Sequence, residues 1–386
     1  MTKGKKKLAI IGASYLQEPL IRKAQEMGIE THVFAWAAND IGEKSADYFY
    51  PISIIEKEQI LERCKEIEID GICSIASDLA VITVNYVAEK MNLIGNGIEN
   101  SELSTNKHNM RIAFEKNGDP SPKSIMVGAA DEITETLNYP VIVKPLDRSG
   151  SRGVFKIYDE RRIPYAIEKA KEQGFIKKAL VEEYVEGEEY SVECISYEGK
   201  HYLLAVTYKY TTGSPNFIET GHIEPANIDE TVKKKIEGIV FHALNSLKIR
   251  YGASHTEIKI CQDGSIEIIE IRARMGGDFI GSTLVEHSTG IDFVKAVIQI
   301  SLGEKPKLER EIETGFVGVR FICSNDDIEA FKRAAKNNPE YLIQYDIPQS
   351  IDGEVVDSST RFGYFIMKTP DRTILEEYLP SKNSLE

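Results

Sequence analysis

A predicted β-hairpin in residues 251–277 constrains this chain more than any other stretch. Two runs of alternating isoleucines flank Asp263-Gly264, and an Asp-Gly pair between alternating apolar runs is the strongest short-range sign of a hairpin. If the turn is the common two-residue type, counting back along both strands places Glu257 directly opposite Glu270. The sequence therefore predicts two carboxylates that face each other across one tight turn.

These facing carboxylates need a cation between them. At about 5 Å and an effective dielectric constant of about 20 their repulsion is roughly 3 kcal/mol, whereas an ordinary cross-strand pair contributes about 0.2–1 kcal/mol. Two interpretations stay open. In one, Arg272, Lys259 and His255 neutralise the glutamates on a solvated face. In the other, the pair holds Mg²⁺, which proteins bind through one or two carboxylates plus substrate phosphates. Arg274 lies on the same strand face as Arg272.

Length and composition describe an ordinary chain of several domains. Its 386 residues suffice for two or three domains with their own cores. The net charge of −14 argues against nucleic acid as a partner, because nucleic acid requires a basic surface. We expect no membrane partner, since no apolar stretch approaches the ~20 residues of a membrane span.

The first residues and the cysteines indicate the cytoplasm. The lysine-rich start, KGKKK, precedes only a short apolar run and so does not resemble a signal peptide. The five cysteines have no CxxC spacing and an odd count. We expect them to be reduced core residues of a cytoplasmic protein.

The N-terminal part of the chain alternates strand and helix signals, which is typical of a parallel, doubly wound sheet. We predict strand 8–12, helix 18–27, strand 31–36, helix 56–67, strand 71–76 and helix 79–91. Gly12 stands alone where the dinucleotide-binding fingerprint has three glycines. An NAD-dependent oxidoreductase is therefore a disfavoured alternative.

A glycine-containing loop follows the strand that ends at Lys144, in YPVIVKPLDRSGSRGVFKI (139–157). Glycines allow backbone N–H groups to approach phosphate oxygens, and hydroxyls and an arginine add donors and positive charge. The loop residues are Ser149, Gly150, Ser151, Arg152 and Gly153. The pattern is not a Walker motif, because GxxxxGK[ST] is absent. The alternative is a mobile hairpin tip with incidental glycines.

Two further stretches contain candidate ligand contacts. A short hinge from Glu182 to Val185 offers a backbone C=O and N–H that can pair with an adenine edge, and Glu189 can accept bonds from ribose hydroxyls. The alternative is a solvated acidic face. His222, in a Gly/Pro-rich loop, is a candidate substrate or acid/base residue, although a histidine bonded for structure explains it equally well.

Taken in order, these parts resemble the ATP-grasp ligases over essentially the whole chain. Three stretches carry the resemblance: YPVIVKPLDRSGSRGV, VEEYVEGEEYSVE and TEIKICQDGSIEIIEIRARMGG. It implies an α/β and α+β fold with ATP between two α+β subdomains. We accordingly expect a Rossmann-like pre-ATP-grasp domain (1–104), an ATP-grasp domain (105–310) with a lid subdomain at about 122–187, and a small C-terminal α/β lobe (311–386).

The resemblance also implies residue roles. ATP would contact Lys107, Lys144, Ser149, Gly150, Ser151 and Gly153 through phosphates, Glu182, Glu183, Tyr184 and Val185 through adenine, and Glu189 through ribose. Glu257 and Glu270 would bind Mg²⁺ or Mn²⁺, and Arg274, Arg272 and His222 would act on the substrates. Many members have Asn two residues after the second metal glutamate, whereas this chain has Arg272. Arginine cannot ligate a cation, so it would change the coordination or neutralise a substrate carboxylate.

The implied activity is ATP-dependent joining of a small carboxylate and an amine. The carboxylate would take the γ-phosphoryl group to give ADP and an acyl phosphate, and the amine would displace phosphate to leave an amide. RMGGDFIG and LVEHSTGID are most similar to the amino-acid ligases, so we expect amino acids or a small acid as substrates. Alternatives are a purine-pathway ligase of the phosphoribosylglycinamide synthetase or carboxylase type, and a nucleotide-binding module without catalysis. A homodimer is expected because such proteins are often dimeric.

Overall fold

The computed structural model describes residues 4–148, 150, 152–214 and 217–381. In these residues the chain forms a small parallel sheet, a small antiparallel sheet and a long antiparallel sheet, with helices packed against them. The predicted α/β and α+β fold class is confirmed.

The N-terminal sheet is parallel, with strand order β3-β2-β1-β4. Leu8 and Ile10 face one hydrophobic core and Ala9 and Ile11 face the other, as expected for a strand covered on both sides. The elements are β1 (Lys7–Ile11), α1 (Glu18–Glu26), β2 (Glu30–Phe34), α2 (Ile41–Ser45), β3 (Tyr48–Tyr50), α3 (Lys57–Ile67), β4 (Gly71–Cys73) and α4 (Asp78–Lys90).

The small antiparallel sheet has strand order β5-β8-β6-β7 and is covered on one face by a helix. Two helices connect it to the N-terminal lobe. In chain order the elements are α5 (Gly97–Thr105), α6 (Lys107–Asn117), β5 (Ser124–Val127), β6 (Val141–Pro145), β7 (Phe155–Ile157), α7 (Ile163–Gln173) and β8 (Ala179–Glu183). Lys144 lies one residue before the end of β6 and Glu182 lies on the neighbouring strand, so the sheet brings two predicted ATP residues together.

The long antiparallel sheet has strand order β13-β12-β9-β10-β11-β14-β16-β15. Its strands and the helices around it are β9 (Glu188–Tyr197), β10 (Lys200–Thr211), β11 (Glu219–Glu224), α8 (Glu230–Ser246), β12 (Gly252–Ile260), β13 (Ile266–Arg272), α9 (Val285–Thr289), α10 (Phe293–Ser301), β14 (Phe316–Ile322), α11 (Asn325–Asn337), β15 (Leu342–Asp346), β16 (Gly363–Thr369) and α12 (Arg372–Glu376).

The segment predicted as a separate C-terminal lobe, 311–386, contributes β14, β15 and β16 to this long sheet. Strand β14 pairs directly with β11, so the predicted boundary at residue 310 falls within one continuous sheet. The boundaries proposed from the sequence stay predictions.

The central hairpin joins β12 and β13, and Glu257 is paired with Glu270, as predicted. The turn nevertheless has one residue more than the predicted two, because the Cys261 N–H donates to the Ser265 carbonyl at 2.9 Å. That shift would face Glu257 with residue 269. A β-bulge at Ile269 inserts one extra residue and restores the opposition of the two glutamates.

None of the described helices combines the length and the apolar surface that a membrane span requires. The five cysteines are all described, and none forms a disulfide. Cys64, Cys73 and Cys194 are buried as expected, whereas Cys261 and Cys323 are partly exposed, so the prediction of core positions was wrong for these two.

A truncation in β16 tests whether the C-terminal strands unfold with the rest of the long sheet. Phe365 is fully buried in the largest core, so we expect Phe365→Ala to lower the free energy of unfolding by about 3–5 kcal/mol. Because its sheet is continuous, denaturant unfolding followed by fluorescence and circular dichroism should keep coincident transitions in this region. The control is Tyr345→Ala, an exposed residue on β15, which should change stability by less than about 0.5 kcal/mol. A separate early transition of the C-terminal strands would contradict the prediction.

Candidate active site

One cleft lies where the two antiparallel sheets and the N-terminal lobe meet. Its volume is about 370 Å³, within the range of small-molecule sites. The predicted site residues on its wall are Lys107, Lys144, Gly150, Glu182, Glu183, Tyr184, Val185, Glu189, His222, Glu257, Glu270, Arg272 and Arg274. Gly153 lies in the same loop but is not on the cleft wall. Ser149 and Ser151 lie outside the described residues.

Cations from distant segments meet the facing glutamates. The Lys107 ammonium lies 2.9 Å from Glu270 Oε1, and Arg272 forms an ion pair with the same oxygen. Burial lowers the pKa of Lys107 to about 8, although Glu270 opposes this shift. Lys209 Nζ lies 3.0 Å from Glu257 Oε1. Of the neutralising residues considered from the sequence, Arg272 pairs with Glu270 and His255 lies 3.6 Å from Glu257, whereas Lys259 donates to the Val185 carbonyl instead.

Lys209 is a site residue that sequence reasoning missed. This buried side chain on β10 lies 2.7 Å from Glu189, 3.0 Å from Glu257 and 3.5 Å from Glu219. Burial disfavours its charge, but the three carboxylates outweigh burial and hold its pKa well above the usual range. The sequence did contain one sign of this residue, a single lysine within the apolar strand HYLLAVTYKY. A lysine buried in such a strand is nearly always paired with an opposite charge, so it indicates a charged partner nearby.

The predicted phosphate-binding residues surround the start of α6. Lys144 forms an ion pair with Glu182, which also contacts Arg111 at 3.1 Å. Burial alone would raise the pKa of Glu182. Lys144 and Arg111 lower this pKa by more than burial raises it, so it lies below its usual value. Lys107 Nζ also donates to the Arg148 carbonyl at 2.6 Å, which ties the glycine loop to α6.

The backbone angles of the glycine loop and the groups around the hinge are suited to contact with a ligand. Gly150 and Gly153 have φ angles of 71° and 70°, a region that favours glycine. At the hinge, the Val185 carbonyl accepts a bond of 3.0 Å from Lys259. Lys156 and Lys259 lie 3.6 and 4.7 Å from the centre of the Tyr184 ring. The hinge therefore presents backbone groups and positive charge to the cleft.

Arg272 and Arg274 share one carboxylate of the N-terminal lobe. Arg274 Nε donates to Asp78 at 2.6 Å, and Arg272 Nε lies 3.5 Å from the same side chain. Burial raises the pKa of Asp78, but both guanidinium groups outweigh burial and hold it below its usual range. Arg272 additionally donates to the carbonyls that end α5, at 3.1 Å each. It is therefore anchored more firmly than Arg274.

His222 lies at the opposite end of the cleft, beside Asp278 and Arg361. Neither ring nitrogen of His222 has a hydrogen-bond partner among the described residues, although Asp278 lies 3.8 Å away. Burial lowers the pKa of His222, so its neutral form is favoured. Arg361 binds both Asp278 oxygens at 2.9 and 2.6 Å and covers the Phe321 ring at 3.6 Å. The sequence analysis missed both Asp278 and Arg361.

The turn that holds Arg274 and Asp278 is shaped by a close approach at Gly276. A Cβ atom there would lie 2.6 Å from Glu193 Oε1 and 2.8 Å from His255 Nδ1. Glu193 accepts the Gly276 N–H at 3.0 Å and also pairs with His255. Asp278 itself has a φ of 51°, a strained angle for a non-glycine residue of the kind that is concentrated at functional sites.

The donor set around Glu257 and Glu270 fits a hard divalent cation. Glu270 Oε1 is buried between the cations of Lys107 and Arg272, so this oxygen lies where positive charge is already concentrated. In the same residues there is no group of three or more His, Cys, Asp or Glu side chains placed to hold a metal ion. Two carboxylates plus substrate phosphate oxygens are the donors that Mg²⁺ commonly takes.

Comparison with known proteins agrees with this geometry. Residues 137–283 match the family described as ATP-grasp domain. Alanine–anticapsin ligase of Bacillus subtilis (strain 168) is 30% identical over 268 residues, and the match covers 60% of this chain but only 56% of that ligase. An L-arginine-specific L-amino acid ligase of Bacillus subtilis is 25% identical over 302 residues, with 74% of this chain and 72% of that protein covered.

The fold extends the match to the whole chain. The crystal structure of an L-amino acid ligase from Bacillus licheniformis superposes with a TM-score of 0.81 at 24% identity, covering 98% of this chain and 96% of that one. An ADP complex of N5-carboxyaminoimidazole ribonucleotide synthetase gives 0.78 at 20% identity, with 98% and 97% covered. The sequence motifs predicted a resemblance to the ATP-grasp ligases, and the match of residues 137–283 to the ATP-grasp domain family confirms that resemblance. Three of these similar proteins are named as ligases of amino acids.

A buried carboxyl on the same strand as His222 gives the protein a pH-dependent stability. Glu224 follows His222 on β11, and the hydroxyls of Thr207 and Ser288 each donate to it at 2.5 Å. Burial raises the pKa of Glu224 to about 7, and the two hydroxyls only partly oppose the rise. The folded state therefore keeps a proton that the unfolded state releases at lower pH.

We expect this group to make the protein less stable as the pH rises. Its contribution is fully present below the unfolded pKa of 4.5 and is lost as the pH passes about 7. The loss amounts to about 3 kcal/mol of unfolding free energy. Urea unfolding at several pH values between these limits measures it, with Glu224→Gln as the control that lacks the titration. The same pH dependence in both proteins would contradict the assignment.

Proposed function

We propose that this protein is an ATP-dependent carboxylate–amine ligase that forms an amide through an acyl phosphate. The observation that carries the proposal is the convergence in one cleft of two facing glutamates with Lys107, Lys144 and Lys209. The cleft thus offers carboxylates for a divalent ion and ammonium groups for a triphosphate. Relatives named as amino-acid ligases support the same chemistry.

The nucleotide end would bind MgATP by exchanging ion pairs. Glu257 and Glu270 would hold Mg²⁺, which would neutralise charge on the transferred phosphoryl group. The lysines that now pair with carboxylates would contact phosphate oxygens. The hinge from Glu182 to Val185 would take adenine and Glu189 the ribose. Glu257 and Glu270 would then pair with the metal ion, and Glu182 would keep its ion pair with Arg111.

The substrate end would hold the carboxylate and the amine. Arg274, on the cleft wall beside Asp78, would orient the carboxylate and offset its repulsion from the triphosphate. Glu219 and Asp278 line the other side and would attract an ammonium group. His222 has free ring nitrogens in the described structure and would donate to or accept from the substrates.

The reaction follows from this order of groups. A substrate carboxylate oxygen bonds to the γ-phosphorus while the bond to the β–γ bridging oxygen breaks, which releases ADP. The neutral amine then attacks the acyl carbon, loses a proton and expels phosphate. Water would hydrolyse the acyl phosphate, so a closing glycine loop is expected.

We propose that the substrates are amino acids. The named relatives join alanine to anticapsin or use L-arginine, and this cleft has both anionic and cationic walls suited to zwitterions. We further propose a cytoplasmic location, where ATP and free amino acids meet. The homodimer expected from the resemblance stays a prediction.

A phosphate-release screen tests the activity. The full chain is incubated with ATP and Mg²⁺ and with amino acids singly and in pairs, and products are identified by mass spectrometry. We expect phosphate release that depends on an amino-acid pair, with one amide formed for each phosphate. Turnover only with a ribosylamine and glycine would favour a purine-type ligase, and ATP binding without turnover would favour the non-catalytic alternative.

Removal of one metal carboxylate should abolish turnover without unfolding the protein. Glu270→Gln keeps the shape of the side chain but removes the negative charge that would hold Mg²⁺. A bound metal ion stabilises the charge of the transition state by several kcal/mol. We therefore expect at least about a hundredfold lower turnover. The control is Glu237→Gln, an exposed carboxylate on α8. Wild-type turnover in Glu270→Gln would show that this residue is not a metal ligand.

Lys144→Met should weaken ATP binding. The substitution keeps the apolar stem of the side chain but removes an ammonium group that would contact phosphate, so we expect roughly tenfold or greater loss of affinity. Titration calorimetry measures it, with Lys169→Met on the exposed face of α7 as the matched control. An unchanged dissociation constant would remove Lys144 from the phosphate site.

A further inference from the structure

Arg111 lies behind the cleft wall and connects two parts of the site. This buried residue on α6 donates from NH2 to the Ile269 carbonyl at 2.7 Å. The same guanidinium contacts Glu182 Oε2 at 3.3 Å through Nε and at 3.1 Å through NH2. It is not on the cleft wall itself, so it would touch neither nucleotide nor substrate.

At one end Arg111 supports the bulge that orients Glu270. The bulge leaves the Ile269 peptide outside the regular ladder, and a buried carbonyl without a donor is unfavourable. Arg111 supplies that donor. Without the bulge, residue 269 would oppose Glu257, and Glu270 would point to the other face of the sheet.

At the other end Arg111 orients Lys144. Glu182 Oε2 accepts from Arg111, while Glu182 Oε1 pairs with Lys144. Glu182 belongs to the small sheet, whereas Ile269 belongs to the long sheet. One guanidinium therefore sets the distance between a carboxylate proposed for Mg²⁺ and a lysine proposed for phosphate.

We propose that Arg111 is a positioning residue that couples the metal carboxylate of one sheet to the phosphate lysine of the other. The proposal rests on the nucleotide site assigned under the proposed function. It predicts that loss of Arg111 changes how ATP binding depends on Mg²⁺, which a merely structural ion pair would leave unchanged.

The test uses the full chain and measures ATP affinity by calorimetry over a series of Mg²⁺ concentrations. In Arg111→Met we expect the Mg²⁺ concentration for half-maximal ATP affinity to rise roughly 10–100-fold, the usual effect of removing a group that orients a metal ligand. In Arg111→Lys we expect an intermediate rise, because lysine keeps the charge but lacks the rigid planar fork of donors that spans Glu182 and the Ile269 carbonyl. Arg333→Met, an exposed arginine on α11, is the control.

A double-mutant cycle separates positioning from general destabilisation. At saturating Mg²⁺, Arg111→Met should weaken ATP binding less in a Lys144→Met background than in the wild type, because the two act through Glu182. Equal effects in both backgrounds, or an unchanged Mg²⁺ dependence in folded Arg111→Met, would overturn the proposal. If Arg111→Met does not fold, an unchanged Mg²⁺ dependence in Arg111→Lys overturns it.

These outcomes are distinct from those of the activity screen. Wild-type protein that binds MgATP but joins no substrates would refute the ligase and leave the coupling intact. Wild-type turnover together with an unaltered Mg²⁺ profile in the Arg111 variants would refute the coupling alone. A wild-type protein that binds no ATP would refute both.

Discussion

The repulsion between two glutamates held opposite each other on one hairpin is the constraint around which this site is built. Neither carboxylate can move away, because each is fixed by its strand. The chain meets the repulsion with cations from three places: Lys107 at the start of α6, Lys209 in the middle of the long sheet, and Arg272 two residues along β13. The cations that neutralise the hairpin therefore come from α6 and from the long sheet, and they line one cleft.

Paired charges of this kind suit a site that binds a salt of metal and triphosphate. A buried charge without a partner costs far more than a buried charge that is paired and hydrogen-bonded. In this cleft each central lysine has a carboxylate partner, and MgATP carries both a cation for the carboxylates and anions for the lysines. The fold can therefore keep a concentration of buried charge that an isolated sheet could not tolerate.

The long sheet explains how both ends of the cleft belong to one site. Its strands β9, β10 and β12 carry Glu189, Lys209 and Glu257, and β11 carries His222. Strands from the C-terminal segment extend the same sheet and bring Arg361 to Asp278. The C-terminal segment consequently contributes to the cleft wall beside His222.

Much of the fold and several of the site residues could be predicted from local sequence. Alternating strands and helices identified the N-terminal lobe, and the Asp-Gly turn identified the hairpin with its facing glutamates. Lys144, the glycine loop and the hinge were also found, because each is a contiguous motif whose backbone geometry depends on neighbouring residues.

The remaining residues depend on contacts between segments far apart in sequence. Lys209, Asp278, Arg361 and Arg111 have no motif, and each gains its partners only when separate strands and helices pack together. The hairpin illustrates the division. Its apolar alternation determined that the glutamates share a face. The longer turn and the compensating bulge at Ile269 depended on tertiary structure, because the Ile269 carbonyl accepts a hydrogen bond from Arg111 on α6.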